Sequence, residues 1–155
     1  MGFDISCDGV KASPDKVKAV LEWPQPETIR DIRSFLGLAS FYRCFVRGFS
    51  QIARPLTELT KKEGDLTWGA QQRKAFEQLK MALVTAPVLR LPDFDREFIV
   101  ITDASQVSVG GILTQDFGNG PQPIAYESKK LNATECRYVV CAAEAYGPSF
   151  FCSPL

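Results

Sequence analysis

The chain contains no histidine. That removes imidazole general bases, Ser-His-Asp and Cys-His nucleophilic sites and His-based zinc motifs. Its five cysteines, Cys7, Cys44, Cys136, Cys141 and Cys152, are odd in number and form no CxxC pair. This is neither a disulfide framework nor a zinc site, and reduced thiols inside the cell are the simple expectation. No window approaches the ~20 apolar residues of a membrane span. Met1-Gly2-Phe3-Asp4 lacks the basic and apolar regions of a secretory signal, so an intracellular location is expected. Charge of either sign is not in excess, since 18 Lys plus Arg balance 18 Asp plus Glu. Any footprint for nucleic acid must therefore be local. What remains for catalysis is carboxylate chemistry, with or without a metal ion.

A length of 155 residues suits one ordinary domain or two small ones. Residues 1–12 carry short apolar pieces around Asp8-Gly9, a hairpin turn signal. Ser13-Pro14-Asp15 opens a first helix, with Val17, Val20 and Leu21 on one face, which Trp23-Pro24-Gln25-Pro26 ends. Thr28 caps a second helix, with Asp31 completing a capping box. Its apolar face runs from Ile29 to Val46, and Gly48 ends it. Gly37, in its middle, implies close packing with a neighbour. The opposite face carries Arg30, Arg33, Arg43 and Arg47, interleaved with Phe41, Tyr42 and Phe45. Such a face either tracks a phosphate backbone or is simply a solvated basic face.

Ser50 is the expected cap of a third helix, broken or delayed by Pro55. A fourth starts at Thr67-Trp68, buries Ala75, Phe76, Leu79 and Leu83, turns its Lys and Glu outward, and stops at Thr85-Ala86-Pro87. Beyond a connector that pairs briefly as a strand, the period becomes strand-like. Three strands are expected, 97–103, 109–115 and 122–128, as an antiparallel meander whose third member sits at an edge because of Pro123. A last helix runs from about Glu135 to Tyr146, where Gly147-Pro148 halts it.

The octet Phe98-Ile99-Val100-Ile101-Thr102-Asp103-Ala104-Ser105 joins an apolar, β-branched run to an acidic residue. The run reads as a strand buried on both faces. Two readings of Asp103 stay open. It is a metal-holding carboxylate at a rigid strand end, or the start of a turn with Ala104 and Ser105.

Many ordered strings are shared with one family. Among them are Pro14-Asp15-Lys16-Val17, Arg33-Ser34-Phe35-Leu36-Gly37-Leu38-Ala39 with Phe41-Tyr42-Arg43, Ala53-Arg54-Pro55-Leu56-Thr57, Ala86-Pro87-Val88-Leu89, Thr102-Asp103-Ala104-Ser105 and Pro123-Ile124-Ala125-Tyr126. Over about residues 1–146 the chain resembles the Pol polyprotein of gypsy-class LTR retrotransposons, from the end of the reverse transcriptase into its ribonuclease H-like domain. The resemblance implies an α+β chain. Residues 1–12 would be the end of the polymerase palm, a primer-grip-like hairpin. Residues 13–86 would form a helical thumb and connection, 87–95 a connector, and 96–146 the βββα start of a ribonuclease H-like fold cut short. Residues 147–155 form a tail without a match.

The resemblance also implies chemistry. Asp103 and Glu144 would be the catalytic, metal-binding pair that cleaves RNA in an RNA–DNA hybrid with Mg²⁺ or Mn²⁺. Two such ions activate water and stabilise the leaving oxygen. Arg30, Arg33, Arg43 and Arg47 would contact primer–template or hybrid, and the rest of a Pol polyprotein is an expected partner. The paired polymerase aspartates are missing, so no DNA synthesis is expected. Val139, Val140 and Ala142 stand where the family has polar or acidic residues, and two carboxylates on half a sheet should bind metal poorly. The apolar strand edge should be open and prone to aggregation. Three functions follow as alternatives: a fragment with little or no activity, a metal-dependent nuclease completed by a partner chain, and a non-enzymatic module binding nucleic acid or protein.

Overall fold

The computed structural model describes residues 2–61, 68–105 and 107–137. Glu144 and the end of the expected last helix lie outside the described residues.

Strands β1 (Phe3–Ser6) and β2 (Gly9–Ala12) form an antiparallel hairpin, with Ser6 opposite Gly9. Gly9 holds φ at +136°, a conformation that favours glycine. Helix α1 (Pro14–Leu21) follows, with Pro14 at its first position. Val20 is buried, but Leu21 is exposed, so the apolar face is narrower than expected.

Helix α2 (Ile29–Phe41) begins with the predicted capping box. Asp31 N donates to Thr28 Oγ1 at 3.1 Å and Thr28 N to Asp31 Oδ2 at 3.0 Å. It ends earlier than the sequence pattern suggests. A 3₁₀ turn, Arg43–Phe45, replaces its last part, and Tyr42 turns in to donate its hydroxyl to the Gly2 carbonyl at 3.0 Å. Phe3 stacks on Phe41 at 4.8 Å and meets Tyr42 edge-on at 5.5 Å. Docking the hairpin on these rings competes with continuing the helix. Gly37 has open space where a Cβ would stand, so it marks no close packing.

Helix α3 (Phe49–Leu59) starts behind Gly48, in the left-handed region at φ 66°, not behind Ser50. It runs unbroken through Pro55. An interior proline costs about 3 kcal/mol. Phe49, Ala53 and Leu56 are all buried, and a fully buried Leu or Phe contributes roughly 1.5–3 kcal/mol each, which offsets that cost. Helix α4 (Ala70–Val84) buries Ala75, Phe76, Leu79 and Leu83, the expected face. One lysine departs from the outward rule. Lys80 is 9% exposed, donates to the Trp23 carbonyl at 2.9 Å and sits over the Phe76 ring.

The core is therefore helical and aromatic, with Phe35 4.6 Å from Phe76 and 5.9 Å from Trp23. The connector pairs once, through Val10 and Leu89. Strands β3 (Ile99–Ala104), β4 (Ser108–Asp116) and β5 (Pro121–Lys130) then make the expected antiparallel meander, in the order β3-β4-β5. The chain is thus α+β, with β5 at one edge as Pro123 required.

The octet strand is not buried on both faces. Val100 is 65% exposed, and Phe98 and Ile99 are exposed as well. Among the described residues β3 pairs only with β4, so its β-branched run forms an open apolar edge. The last helix is under way by residues 133–137. Asn132 caps it, its Oδ1 accepting from Thr134 N and Glu135 N, while Glu135 Oε2 accepts from Asn132 N.

Candidate nucleic-acid interface

Asp103 is the penultimate residue of β3. Its register partner is Gly110, whose partner on β5 is Ser128. A row therefore crosses the sheet from Asp103 to Ser128 with a residue lacking a side chain between them. The N-terminal turn of α3 lies against this row. Ser50 N donates to Ser128 Oγ at 2.9 Å, and Gln51 Nε2 donates to Ser108 Oγ at 2.6 Å. Between the turn and the sheet is a cleft of about 360 Å³, lined by Arg47, Ser50, Gln51, Asp103, Glu127 and Ser128 among others.

Asp103 is exposed, and no hydrogen bond or ion pair engages its carboxylate among the described residues. Glu127 is engaged. It accepts from Arg43 Nη2 at 3.1 Å and from Ser128 N at 3.1 Å. A second charged contact joins the helices to the sheet, with Glu58 accepting from Arg54 Nε at 2.9 Å and from Lys130 Nζ at 3.1 Å. These bonds, Arg54 first and then Lys130, hold the Glu58 carboxyl below its usual range. Cys44, half-buried nearby, is shifted the other way by burial, which disfavours the thiolate.

The four arginines do not share one helical face. Arg30 and Arg33 belong to α2, Arg43 to the 3₁₀ turn, and Arg47 to the segment after it, because α2 ends at Phe41. All four are exposed. Arg33 donates to the Thr60 carbonyl at 3.1 Å, and Arg43 pairs with Glu127. Arg47 alone of the four lines the cleft with Asp103.

A Mg²⁺ ion takes about six oxygen ligands, usually one or two carboxylates with several waters, and a pair of such ions needs a cluster of carboxylates to share. Among the described residues no group of three or more Asp, Glu or Cys side chains is placed to hold one. The described residues therefore do not by themselves fit a two-metal site. Asp103 contributes one exposed carboxylate, unengaged among the described residues, and its expected companion Glu144 lies outside them.

The expected turn after Asp103 is present, with Ser105 bonded to Ser108. Sequence reasoning missed Gln51, Glu127 and Ser128 as neighbours of Asp103. These carry no periodic or spacing signal, because they come from separate elements.

Residues 68–153 match the family described as the RNase H-like domain found in reverse transcriptase, and the chain belongs to it. The match takes in α4 and the connector as well as the sheet. The chain is 40% identical over 139 residues to the retrovirus-related Pol polyprotein from transposon 297 of Drosophila melanogaster, covering 89% of this chain and 13% of that protein. It is 39% identical over 150 residues to that of transposon gypsy from the same organism, covering 89% and 14%. The Pol polyprotein of feline endogenous virus ECE1 is 40% identical over 141 residues, covering 91% and 14%. The chain thus corresponds to a short stretch of these Pol polyproteins.

Solved structures agree. The foamy viral protease-reverse transcriptase in complex with RNA/DNA hybrid superposes with a TM-score of 0.75 at 26% identity, over 96% of this chain and 22% of that one. The same protein in complex with dsDNA gives 0.77 at 26% identity, over 97% and 33%. No helix among the described residues is long and apolar enough to cross a membrane.

Proposed function

We propose that this chain holds RNA–DNA hybrid or primer–template at the junction between the end of a reverse transcriptase and its ribonuclease H-like domain. Residues 1–12 serve as the primer-grip-like hairpin, 13–86 as thumb and connection, and 96–146 as the start of the nuclease fold. Asp103, with Glu144, provides part of a divalent-metal site and is by itself too few ligands for cleavage. Arg30, Arg33, Arg43 and Arg47 supply positive charge for contacts with the nucleic-acid backbone. The reading belongs inside the cell, where Cys7, Cys44 and Cys136, which form no disulfide among the described residues, would stay reduced.

The observation that carries this reading is the exposed carboxylate of Asp103 at a strand end, unengaged among the described residues and sharing its cleft with Arg47. Hybrid binding measured by fluorescence anisotropy against salt tests it. Removing one phosphate-contacting arginine should lower the salt slope by about one. A cleavage assay in Mg²⁺ and Mn²⁺ tests the inactive half of the reading. Cleavage that disappears in Asp103→Asn would replace it with a working nuclease.

The exposure of Phe94, Phe98 and Val100 favours a second reading, a module whose apolar sheet edge binds protein. Absence of any salt-dependent hybrid binding would favour it over the first.

A further inference from the structure

The β3–β4 turn is held from two sides. From within, Ser105 N donates to the Ser108 carbonyl at 2.8 Å, and Ser108 N donates to Ser105 Oγ at 3.2 Å. The two hydroxyls lie 3.0 Å apart. From outside, Gln51 of α3 reaches both, with Nε2 at 2.6 Å from Ser108 Oγ and 3.4 Å from Ser105 Oγ. Ser108 is only 3% exposed, so the bond to it is sheltered, whereas the longer contact with Ser105 and Gln51 itself stand at the surface. Ser105 lies two residues beyond Asp103 in the chain, on the same short lever.

Gln51 is the third residue of α3, and the adjacent Ser50 N is bonded to Ser128 at the other end of the Asp103–Gly110–Ser128 row. One helical turn thus holds the turn just beyond Asp103 and the far end of the row that crosses the sheet from it. The buried Ser108 hydroxyl costs free energy if its partner is removed, because a desolvated group is then left with one bond fewer. The turn could have closed on its own serine pair. Reaching into it with a side chain from the helical unit couples that unit to the position of Asp103.

We infer that Gln51 is a positioning residue, clasping the Ser105–Ser108 turn so that the helical unit fixes where the Asp103 carboxylate stands. This deepens the proposed function and rests on it for the purpose of Asp103, though the clasp is testable without it. No role in bond making is assigned to Gln51.

Amide hydrogen exchange by NMR on the whole chain reads the clasp directly. Gln51→Ala should speed exchange at Ser105 and Ser108 by roughly three- to tenfold, the scale of one net hydrogen bond, and shift the Asp103 amide resonance. Amides in α4 should not change. Gln51→Asn, one methylene too short, should behave as the alanine variant does. Ser108→Ala should already abolish the effect, so that adding Gln51→Ala changes little further. Titration with Mn²⁺ alone adds a paramagnetic readout. Broadening centred on the Asp103 amide should weaken in Gln51→Ala and vanish in Asp103→Asn. Unchanged exchange at Ser105 and Ser108 in Gln51→Ala would overturn the clasp. Faster exchange there without Mn²⁺ broadening in the unaltered chain would support the clasp and overturn the metal role of Asp103.

Discussion

Gly9 and Leu89 touch through their backbones. A Cβ placed on Gly9 would lie 2.0 Å from the Leu89 carbonyl oxygen, and the φ of +136° disfavours a side chain in any case. The bond pair between Val10 and Leu89, at 2.7 and 2.9 Å, forms only because this approach is open. Gly9→Ala should therefore destabilise the chain by about 3 kcal/mol or more. Urea unfolding measures it, and a loss under about 1 kcal/mol would mean that hairpin and connector are not joined as described.

Gly37 is the opposite case. It lies within α2, and nothing stands within 4 Å of where its Cβ would be. Gly37→Ala should stabilise the chain by roughly 0.5–1 kcal/mol through helix propensity and a less flexible unfolded state. A lowered Tm would show that the glycine has a neighbour after all.

The capping box gives a pH dependence with a definite sign. The Thr28 hydroxyl, with the Thr28 and Glu27 amides, holds the Asp31 carboxyl below its usual value. Its contribution is complete above the ordinary carboxylate range and is lost as pH falls through the lowered folded value. Asp31→Asn should thus cost stability at pH 7 and less at strongly acid pH. Thermal melts at the two pH values compare the variant with the unaltered chain, and an equal cost at both would remove the carboxylate from the account.

Capping, hairpin turn and amphipathic face were legible for a common reason. Thr28 and Asp31, Asp8 and Gly9, and the α4 face from Ala75 to Leu83 act within a few residues of one another. What was illegible depends on distant partners. The period of α2 runs on past Phe41, but there the chain passes into a 3₁₀ turn where Phe3 and Gly2 dock on Phe41 and Tyr42, contacts from about 40 residues away in the chain that no local pattern encodes. Pro55 argues against a helix that burial of Leu56 nevertheless maintains. Asp103 could be singled out by its place after an apolar run. Its neighbour Gln51 could not, because no local pattern links a helix start to a hairpin turn.

Arg43 offers a separation of stability from binding. Its pair with Glu127 is well exposed on both sides, 57% and 62%, and such pairs contribute little to folding. Arg43→Ala should leave Tm nearly unchanged. Under the proposed function it should weaken hybrid binding and flatten its salt dependence. Binding unchanged at low salt would take Arg43 out of the interface.

The open edge of β3 predicts solution behaviour. Val100 is 65% exposed on a strand unpaired on one side among the described residues. Val100→Lys should raise the concentration at which the chain stays monodisperse in light scattering, with little change in unfolding midpoint. Unaltered self-association would place the sticky surface elsewhere.

The segment between the helices and the sheet is fastened at several successive points. Leu89 is held to Val10, Arg90 N to the Pro123 carbonyl, Asp93 through its N–H and carbonyl to the fully buried Gln115, and Arg96 through its carbonyl to Gln115 again. Such a segment has no slack to pay out. Force pulling the sheet from the helices would load these bonds together instead of unreeling a tether.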